Sequence, residues 1–286
     1  MANITAAMVK ELREMTDAGM MECKKALVEA EGDMEKAVDV LRTRGLAAVA
    51  KKAGRATNEG TVMCVLNDAC TKGAMVELNC ETDFVAMNDK FKAYAERIAK
   101  AALAADAQDV EALKAADCEG ETVEAVVTDA IHVMGENTQI ARVATVAADG
   151  VASYIHGGGK IGVLVAFGLE GIDPASDQFK AYGRDIAMQV AAASPVAANR
   201  DAVPAETIEH EKAIYMAQAA ESGKPEAIQE KMATGRLEKF YKENVLTEQQ
   251  FVKNPDQTVA DYTAETAKAL GGQISILDFQ RFVLGA

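Results

Sequence analysis

The chain has 286 residues, of which 49% are hydrophobic, and this is enough for about two domains with a substantial core. Its net charge of −14 argues against a protein that grips nucleic acid through phosphate neutralisation, because that mode needs a concentrated basic surface. No stretch approaches the roughly 18 apolar residues that span a bilayer, and the N-terminus lacks the basic start and apolar run of a secretory signal. We therefore expect a soluble cytoplasmic protein that does not contact a membrane.

Three short helical patterns occupy residues 5–44, and Gly19 and Gly32 separate them. Thr5 and Asp33 are N-cap candidates for the first and the third helix. Three helices of about ten residues would form a small ubiquitin-associated-like bundle of marginal stability, because few large apolar side chains are present. The polar stretch 54–60 is bracketed by glycines and is expected to be a linker, so the first predicted module covers residues 1–55.

Charge is unevenly distributed along the chain. Residues 1–55 carry ten basic and nine acidic side chains, whereas the remaining residues carry twenty basic and thirty-five acidic ones. A basic run in the first module is opposed only by Asp39. Such a run is usually a solvated helix face, and the alternative is a patch that steers an acidic protein partner. Its members are Lys36, Arg42, Arg44, Lys51, Lys52 and Arg55.

An internal repeat follows the linker. The string Phe91-Lys92-Ala93-Tyr94 recurs 88 residues later as Phe179-Lys180-Ala181-Tyr182. The residues upstream, 60–78 and 150–165, resemble each other at nearly the same offset and alternate as β-hairpins do. The sequence therefore predicts an α+β protein with a core of two repeated subdomains, 56–147 and 148–286, each a hairpin followed by an amphipathic helix.

The second copy is extended by an inserted segment. Two helical stretches flank Ser222-Gly223-Lys224-Pro225, and glycine followed shortly by proline ends one helix and starts the next. We expect an antiparallel helical hairpin at about 205–243. A helix at 257–270 and a final strand, Gln273–Val283, complete this subdomain.

No local pattern predicts covalent chemistry, a metal site or a cofactor. The histidines have no cysteine or carboxylate at metal-ligand spacing around them, and no Ser-His-Asp or Cys-His arrangement can be assembled from local signals. Gly157-Gly158-Gly159-Lys160 resembles a phosphate loop, but Ile161 stands where Ser or Thr must bind magnesium, so a hairpin turn is expected. The five scattered cysteines, without any Cys-x-x-Cys pair, are expected to be reduced and mostly buried: Cys23, Cys64, Cys70, Cys80 and Cys118.

Two unusual strings carry a family resemblance. Residues 79–86 read Asn-Cys-Glu-Thr-Asp-Phe-Val-Ala and place Asp83 and Phe84 at the turn between a predicted strand and a helix that Asn88 or Asp89 would cap. Taken alone, this pair could equally be a turn former and a core residue. Residues 16–27 contain the second string, with Met20 and Met21 just after a glycine.

Together the two strings resemble the elongation factor Ts family, the nucleotide-exchange factors for elongation factor Tu. Three further segments agree with it: 135–137, 154–165 and 246–252. The resemblance implies that Asp83 and Phe84 act on the G domain of elongation factor Tu, and that other side chains contact the same partner. The residues implied to bind the partner are Thr82, Asp83, Phe84, Val85, Arg13, Met20, Met21, Lys24, Met134, His156 and Val252.

Two positions depart from the family pattern. Met87 stands where the family commonly has Lys or Arg, and the chain stops at Ala286 although many members continue into a further helix that touches the G domain. Paired methionines could also be core residues, and a lone histidine is usually structural. Two other functions remain open: an adaptor whose bundle recruits another helix, and a thiol enzyme that uses Cys80. A homodimer also remains open.

Overall fold

The computed structural model describes residues 4–16, 18–52 and 54–286, and within them all side chains except those of 45–51. The chain is a mixed α+β protein in which N-terminal helices precede a core built on β-sheets, as the sequence predicts. Within the described ranges, no helix is long and apolar enough to cross a membrane.

The described part of the N-terminal segment forms three helices, α1 (Ala6–Thr16), α2 (Met20–Glu29) and α3 (Met34–Lys52). Thr5 caps α1, because its hydroxyl oxygen accepts a hydrogen bond from the backbone N–H of Met8 at 3.3 Å. Asp33 caps α3 in the same way, with Lys36 N as the donor at 3.1 Å. The helices share a small core of Val9, Leu12, Ala18, Cys23, Ala26, Leu27, Ala30, Ala37 and Leu41.

Helix α3 is longer than its sequence pattern predicts. We expected about ten residues, and α3 has 19. Gly45 costs a helix only about 1 kcal/mol relative to alanine, and the apolar, alanine-rich stretch after it continues the helix to Lys52. There the Lys52 ammonium group donates to the carbonyl oxygen of Ile131 at 3.2 Å. This bond ties the end of α3 to the core helix α7 (Val123–Met134).

The first half of the core has the elements β1 (Glu59–Leu66), β2 (Lys72–Cys80), α4 (Asp83–Ala86), α5 (Asp89–Ala105), α6 (Val110–Ala115), β3 (Asp117–Cys118), β4 (Glu121–Thr122), α7 and β5 (Gln139–Ala147). The three long strands form an antiparallel sheet in the order β1-β2-β5. Every second residue of β2, from Ala74 to Cys80, packs on one face against α5, whose Phe91 and Ile98 are fully buried. Asn88 caps α5 as predicted.

The second half has the elements β6 (Gly150–His156), β7 (Ile161–Glu170), α8 (Asp177–Ala193), α9 (Ala205–Ala220), α10 (Glu226–Asn244), β8 (Gln250–Phe251), β9 (Asn254–Thr258), α11 (Val259–Leu270) and β10 (Gln273–Val283). Its sheet has the order β6-β7-β10, so a hairpin and a returning strand again lie side by side. Phe179 and Ile186 of α8 are buried against it. The subdomain boundaries at 55, 147 and 205–243 stay predictions.

The two sheets pack against each other through a further cluster of buried side chains, formed by Val62, Met75, Val151, Leu164 and Phe282. Gly162 allows this close approach, because a Cβ there would lie 2.3 Å from Cγ1 of Val62. The central strands β2 and β7 are therefore buried on both faces over most of their length. Contact between the sheets fixes the loops at their ends relative to one another.

Helices α9 and α10 are joined by the short turn 221–225, in which Gly223 has a φ of +64° and Pro225 precedes the first residue of α10. The base of this pair is held by Arg200, whose guanidinium donates to Glu238 at 3.0 and 2.7 Å. The same guanidinium binds Glu248 and lies 4.3 Å from the ring centroid of Tyr241.

Candidate functional site

The turn after β2 presents an exposed aromatic side chain. Phe84 is 80% exposed, and Asp83 beside it is exposed as well. Both belong to α4, whose N-cap Thr82 accepts a hydrogen bond from Val85 N at 3.4 Å. Burying a phenylalanine side chain contributes roughly 1.5–3 kcal/mol. The exposed Phe84 side chain obtains almost none of this stabilisation within the chain. The alternative that Phe84 is a core residue is therefore wrong.

Two carboxylates hold the strand end beneath this turn. One oxygen of Glu136 accepts from the backbone N–H groups of Glu81 and Thr82 at 3.1 and 3.0 Å, and the other accepts from the Thr82 hydroxyl at 2.6 Å. The Glu81 carboxylate in turn accepts from Asn137 N at 2.6 Å and from the Arg55 guanidinium at 3.3 Å. The bond from Asn137 and the charge of Arg55 hold the pKa of Glu81 below its ordinary value.

Gly135 directs Glu136 toward the strand end. It is the C-cap of α7, with a left-handed φ of +77° that favours glycine. The residue before it, Met134, is half-buried and packs against the core between β2 and α5. Val85 also is half-buried and packs there. These two predicted contact residues therefore expose only part of their side chains to a partner.

Cys80 is fully buried at the end of β2. Burial, together with the nearby charge of Glu136, raises the pKa of its thiol to about 12. The thiol lies 3.2 Å from the carbonyl oxygen of Thr82, to which it donates. A buried thiol that stays protonated is neither a nucleophile nor a metal ligand, so this geometry argues against a thiol enzyme.

His156 stands at the tip of the β6–β7 hairpin and is exposed. Its Nδ1 atom lies 3.1 Å from the hydroxyl oxygen of Tyr154. The turn that follows is built from glycines with left-handed φ values, as the hairpin prediction requires. Gly159 lies against β1: a Cβ there would be 1.9 Å from Oγ1 of Thr61, and its carbonyl oxygen accepts from Val62 N at 2.7 Å.

The Phe84 turn and the His156 turn lie at the same end of the two sheets. Glu59, at the start of β1, pairs with Cys80 at the end of β2, directly before the Phe84 turn. The His156 turn contacts β1 at Thr61 and Val62, which is about 7–10 Å along the strand from Glu59. Two sequence-distant candidates are thus brought to one edge of the core.

Val252 belongs to the same end. It is 45% exposed in the turn between β8 and β9. Its N–H donates to the side-chain oxygen of the buried Gln189 at 2.8 Å, so it lies beside the last turns of α8. Those turns lie near the start of β7, because Ala191 accepts a bond from Arg281 at 3.4 Å and Arg281 pairs with Val163.

A second surface lies on the N-terminal bundle. Met20 and Met21 are 57% and 63% exposed in the first turn of α2, so the core alternative is wrong for them. Lys24 and Arg13 also are exposed. Val28, two turns after Met21 on the same helix, is 59% exposed and extends the apolar surface. The sequence pattern did not single out Val28.

Most described members of the basic run have partners within the chain, whereas Arg42 is exposed and the Lys51 side chain lies outside the described side chains. The pairs are Lys36 with Asp33, Arg44 with Glu22 and Glu29, and Arg55 with Glu81. Lys52 donates to a backbone carbonyl. This internal pairing favours a solvated helix face over a steering patch.

Glu136 and Asn137 are residues of the candidate site that sequence reasoning missed. They stand out in the sequence only as part of a family segment, and their partners lie 54 to 56 residues away. A glycine C-cap followed by Glu and Asn is a signal that the chain turns back there. It does not say which strand end the carboxylate reaches.

Comparison with known proteins identifies the family. The family model described as "Elongation factor TS" matches residues 81–286. A protein named "Elongation factor Ts" from Clostridioides difficile is 52% identical, over 100% of this chain and 94% of its own length. Proteins of the same name from Clostridium botulinum and Trichlorobacter lovleyi are 46% and 48% identical, each over 99% of this chain. They are covered over 92% and 93% of their own lengths. Because the family model and these relatives give the same result, we conclude that the chain belongs to the elongation factor Ts family of translation elongation factors.

Proposed function

We propose that this chain is a guanine-nucleotide exchange factor that acts in the cytoplasm on elongation factor Tu. It binds the GDP-bound partner, disturbs the magnesium and phosphate site, and promotes GDP release so that GTP can bind. It performs no covalent chemistry and needs no cofactor of its own. The observation that supports this most is an exposed Phe84, 80% open to solvent, on a turn whose backbone is held by hydrogen bonds.

A displacement of the partner is enough for exchange. Magnesium demands near-octahedral geometry at short distances, and in P-loop GTPases its ligands come from the protein and from the nucleotide phosphates. A rigid aromatic side chain that wedges between partner helices moves those ligands, and displacement by about 1 Å destroys the coordination. Phe84 supplies the wedge. Asp83 supplies a carboxylate that reorganises hydrogen bonds close to the ion.

The remaining contact residues bind the partner and do not deform its magnesium site. Met20, Met21, Arg13 and Lys24 form a docking surface on the bundle, where flexible thioethers adapt to an apolar partner face. His156 and Val252 contact the partner from the same end of the sheets as the wedge. Thr82, Val85 and Met134 border the wedge itself.

Release of a fluorescent GDP analogue from elongation factor Tu tests the proposal. Truncating a central aromatic anchor typically costs about 2 kcal/mol or more, roughly thirtyfold. We expect Phe84→Ala to slow release at least tenfold at equal concentration. The matched control is Leu277→Ala, since Leu277 is a 48% exposed apolar residue on β10. Unchanged release by a folded variant that lacks both Asp83 and Phe84 side chains would exclude the wedge, and no acceleration by the wild-type chain would exclude exchange altogether.

A further inference from the structure

Phe84 has almost no side-chain packing to orient it. It is 80% exposed, and the helix that carries it has only four residues. A helix this short has little stability of its own, because nucleation costs more than one turn of hydrogen bonds returns. The direction of the Phe84 side chain is therefore set by the backbone on both sides of it. Val85 and Ala86 anchor the backbone after Phe84 in the core, and the contacts of Glu81 and Thr82 fix the backbone before it.

The Glu136 side chain binds both Glu81 and Thr82. The Glu136 carboxylate receives three hydrogen bonds from two consecutive residues, the N–H of Glu81 at 3.1 Å and the N–H and hydroxyl of Thr82 at 3.0 and 2.6 Å. Charge-assisted bonds of this kind are roughly twice as strong as neutral ones. Thr82 in turn caps α4 through its bond from Val85 N. The contacts form an unbroken path from Glu136 to the helix that presents Phe84.

Hydrogen bonds between these two segments run in both directions. Glu81, whose N–H is held by Glu136, sends its own carboxylate back to the N–H of Asn137, the residue after Glu136, at 2.6 Å. Asn137 then donates its side-chain amide to the carbonyl oxygen of Arg55 at 2.9 Å. The end of β2 and the end of α7 are thus joined by carboxylates that point in opposite directions. Rotation of the strand end would break bonds on both sides.

We propose that Glu136 is the positioning residue of the wedge, fixing the backbone at Glu81 and Thr82 so that Phe84 projects in one orientation. This inference rests on the proposed exchange function for its consequence but not for its geometry. Glu136 acts through the turn and does not itself deform the partner. Loss of its carboxylate leaves two backbone N–H groups without their acceptor, and the turn then samples several conformations.

A fluorescence measurement tests the positioning in the free protein. The chain contains no tryptophan, so Phe84→Trp introduces a unique fluorophore at the tip, and its anisotropy reports how freely that side chain moves. In this background we expect Glu136→Ala to lower the anisotropy clearly. Glu136→Gln should keep it, because an amide oxygen can accept both N–H bonds and the amide N–H₂ can donate to the Thr82 hydroxyl. If Glu136→Ala does not fold, Glu136→Asp, which draws the carboxylate back by one methylene, is judged by the same criterion.

The matched control is Asn67→Ala. The Asn67 side chain accepts from two consecutive backbone N–H groups, those of Thr71 and Lys72, both at 2.9 Å, and donates to the Thr71 hydroxyl at 3.0 Å. Like Glu136, it binds two consecutive backbone N–H groups and one threonine hydroxyl, although here the side chain donates to the hydroxyl. These contacts lie at the opposite end of the β1–β2 hairpin. Its loss should cost stability without changing the anisotropy at position 84. Equal anisotropy in the Glu136→Ala variant and in this control overturns the proposal.

Exchange assays with Phe84 in place connect the positioning to function. A misplacement of about 1 Å in a working group can cost as much as a hundredfold in rate, and we expect Glu136→Ala to lower the maximal rate of GDP release at least about fivefold. Glu136→Gln should restore most of that rate, and Asn67→Ala should leave it unchanged. A mobile fluorophore at position 84 together with an undiminished maximal rate would overturn the positioning role. A wild-type chain that does not accelerate release refutes the exchange function alone, and the anisotropy still decides whether Glu136 holds the turn.

Discussion

Cys80 lies four residues before Phe84 in the chain, and its environment makes its thiol unreactive. It is fully buried, and the pKa of its thiol is raised to about 12 by burial and then by the charge of Glu136. Because the thiolate is the reactive form, the thiol stays almost entirely protonated at neutral pH. The role that remains for Cys80 is that of a small hydrophobic residue that fills the core at the end of β2.

We therefore predict that Cys80 in the folded protein reacts with iodoacetamide on the order of a thousand times more slowly than a free cysteine at pH 7.5. The pKa alone accounts for this factor, and burial slows the reaction further. Peptide mapping by mass spectrometry after timed labelling measures it for Cys80 separately from the other cysteines. The same sample in urea, where Cys80 should label fast, is the control. Fast labelling of Cys80 in the native chain would reopen the thiol-enzyme alternative.

At the scale of elements, the bundle and the core offer different kinds of surface. The core presents Phe84, the most exposed of the large apolar side chains in the described ranges, on a turn held by hydrogen bonds. Helix α2 instead presents two methionines and Val28, all more than half exposed. A surface of flexible apolar side chains is suited to binding a partner helix. It does not suit forceful displacement of a magnesium ligand.

We predict that replacing Met20 and Met21 together by alanine raises the concentration of this chain that gives half-maximal GDP release about thirtyfold, with little change in the maximal rate. Each truncation of a docking side chain costs about 1 kcal/mol, and the wedge remains intact. A titration of the exchange rate against factor concentration separates the two quantities. Ile228→Ala on α10, at a 44% exposed apolar residue, is the control. A lower maximal rate at an unchanged midpoint would assign the methionines to the exchange step itself.

Elements with strong periodicity could be predicted from the sequence. The final strand was predicted at Gln273–Val283 and is observed there, and Thr5, Asp33 and Asn88 act as the caps that their residue types suggest. The place of Phe84 between a strand and a cap is compatible with either exposure or burial, and the structure shows exposure. The end of α3 did not follow, because Gly45 interrupts a pattern that tertiary contact with α7 sustains.

Contacts between distant segments could not be predicted in the same way. Nothing in the sequence around Glu77 says that a carboxylate in the middle of an apolar strand meets Arg142 of β5, 65 residues away. The clamp at Glu136 is the same kind of contact. A side chain whose partner lies on another strand or helix leaves no periodic signal. Such residues have to be found in the structure.

At the scale of the whole molecule, an ion pair between a buried carboxylate and a partly exposed arginine links the two sheets. Glu77 is 2% exposed and accepts from Nε of Arg142 at 2.8 Å and from the N–H of Gly285 at 3.1 Å. Arg142 donates to the carbonyl oxygen of Val283 at 2.6 Å and lies 4.4 Å from the ring centroid of Phe282. The last residues of β10, which belongs to the second sheet, are thereby bound to the first.

We predict that Glu77→Ala lowers the free energy of unfolding by about 2–3 kcal/mol, since removing this buried acceptor leaves the Gly285 N–H and the inner part of the Arg142 guanidinium without a partner, while water reaches the rest of Arg142. Urea unfolding followed by circular dichroism measures this. The control is Glu121→Ala, which removes one of the two carboxylate partners of Arg97, at 3.1 Å on the surface. Exposed pairs of that kind contribute about 0–1 kcal/mol. A similar, small loss in both variants would contradict a linking role for Glu77.

Coupling between nucleotide and factor is a property of the whole complex, and it gives the strictest test of exchange. If the chain opens the nucleotide site, its binding and GDP binding must weaken each other by the same factor, because coupling free energy is reciprocal. Each tenfold loss of GDP affinity corresponds to about 1.4 kcal/mol. We therefore predict that the complex with elongation factor Tu is tightest without nucleotide. Removing magnesium from the GDP-bound partner should weaken the antagonism between this chain and GDP, because this chain then no longer has to disrupt the magnesium coordination.

Calorimetric titration of elongation factor Tu with this chain, with and without GDP and each with and without magnesium, measures all four affinities. The Phe84→Ala variant serves as the matched control, since a chain that docks without its wedge should lose most of the difference between the four conditions while it still binds through the bundle. The magnesium effect is expected only in the presence of GDP, because the nucleotide phosphates complete the ion's coordination. Equal affinities in all four conditions for the wild-type chain would mean that it binds as a passive adaptor, since a ligand with no preference between two states of its partner cannot shift that partner from one to the other.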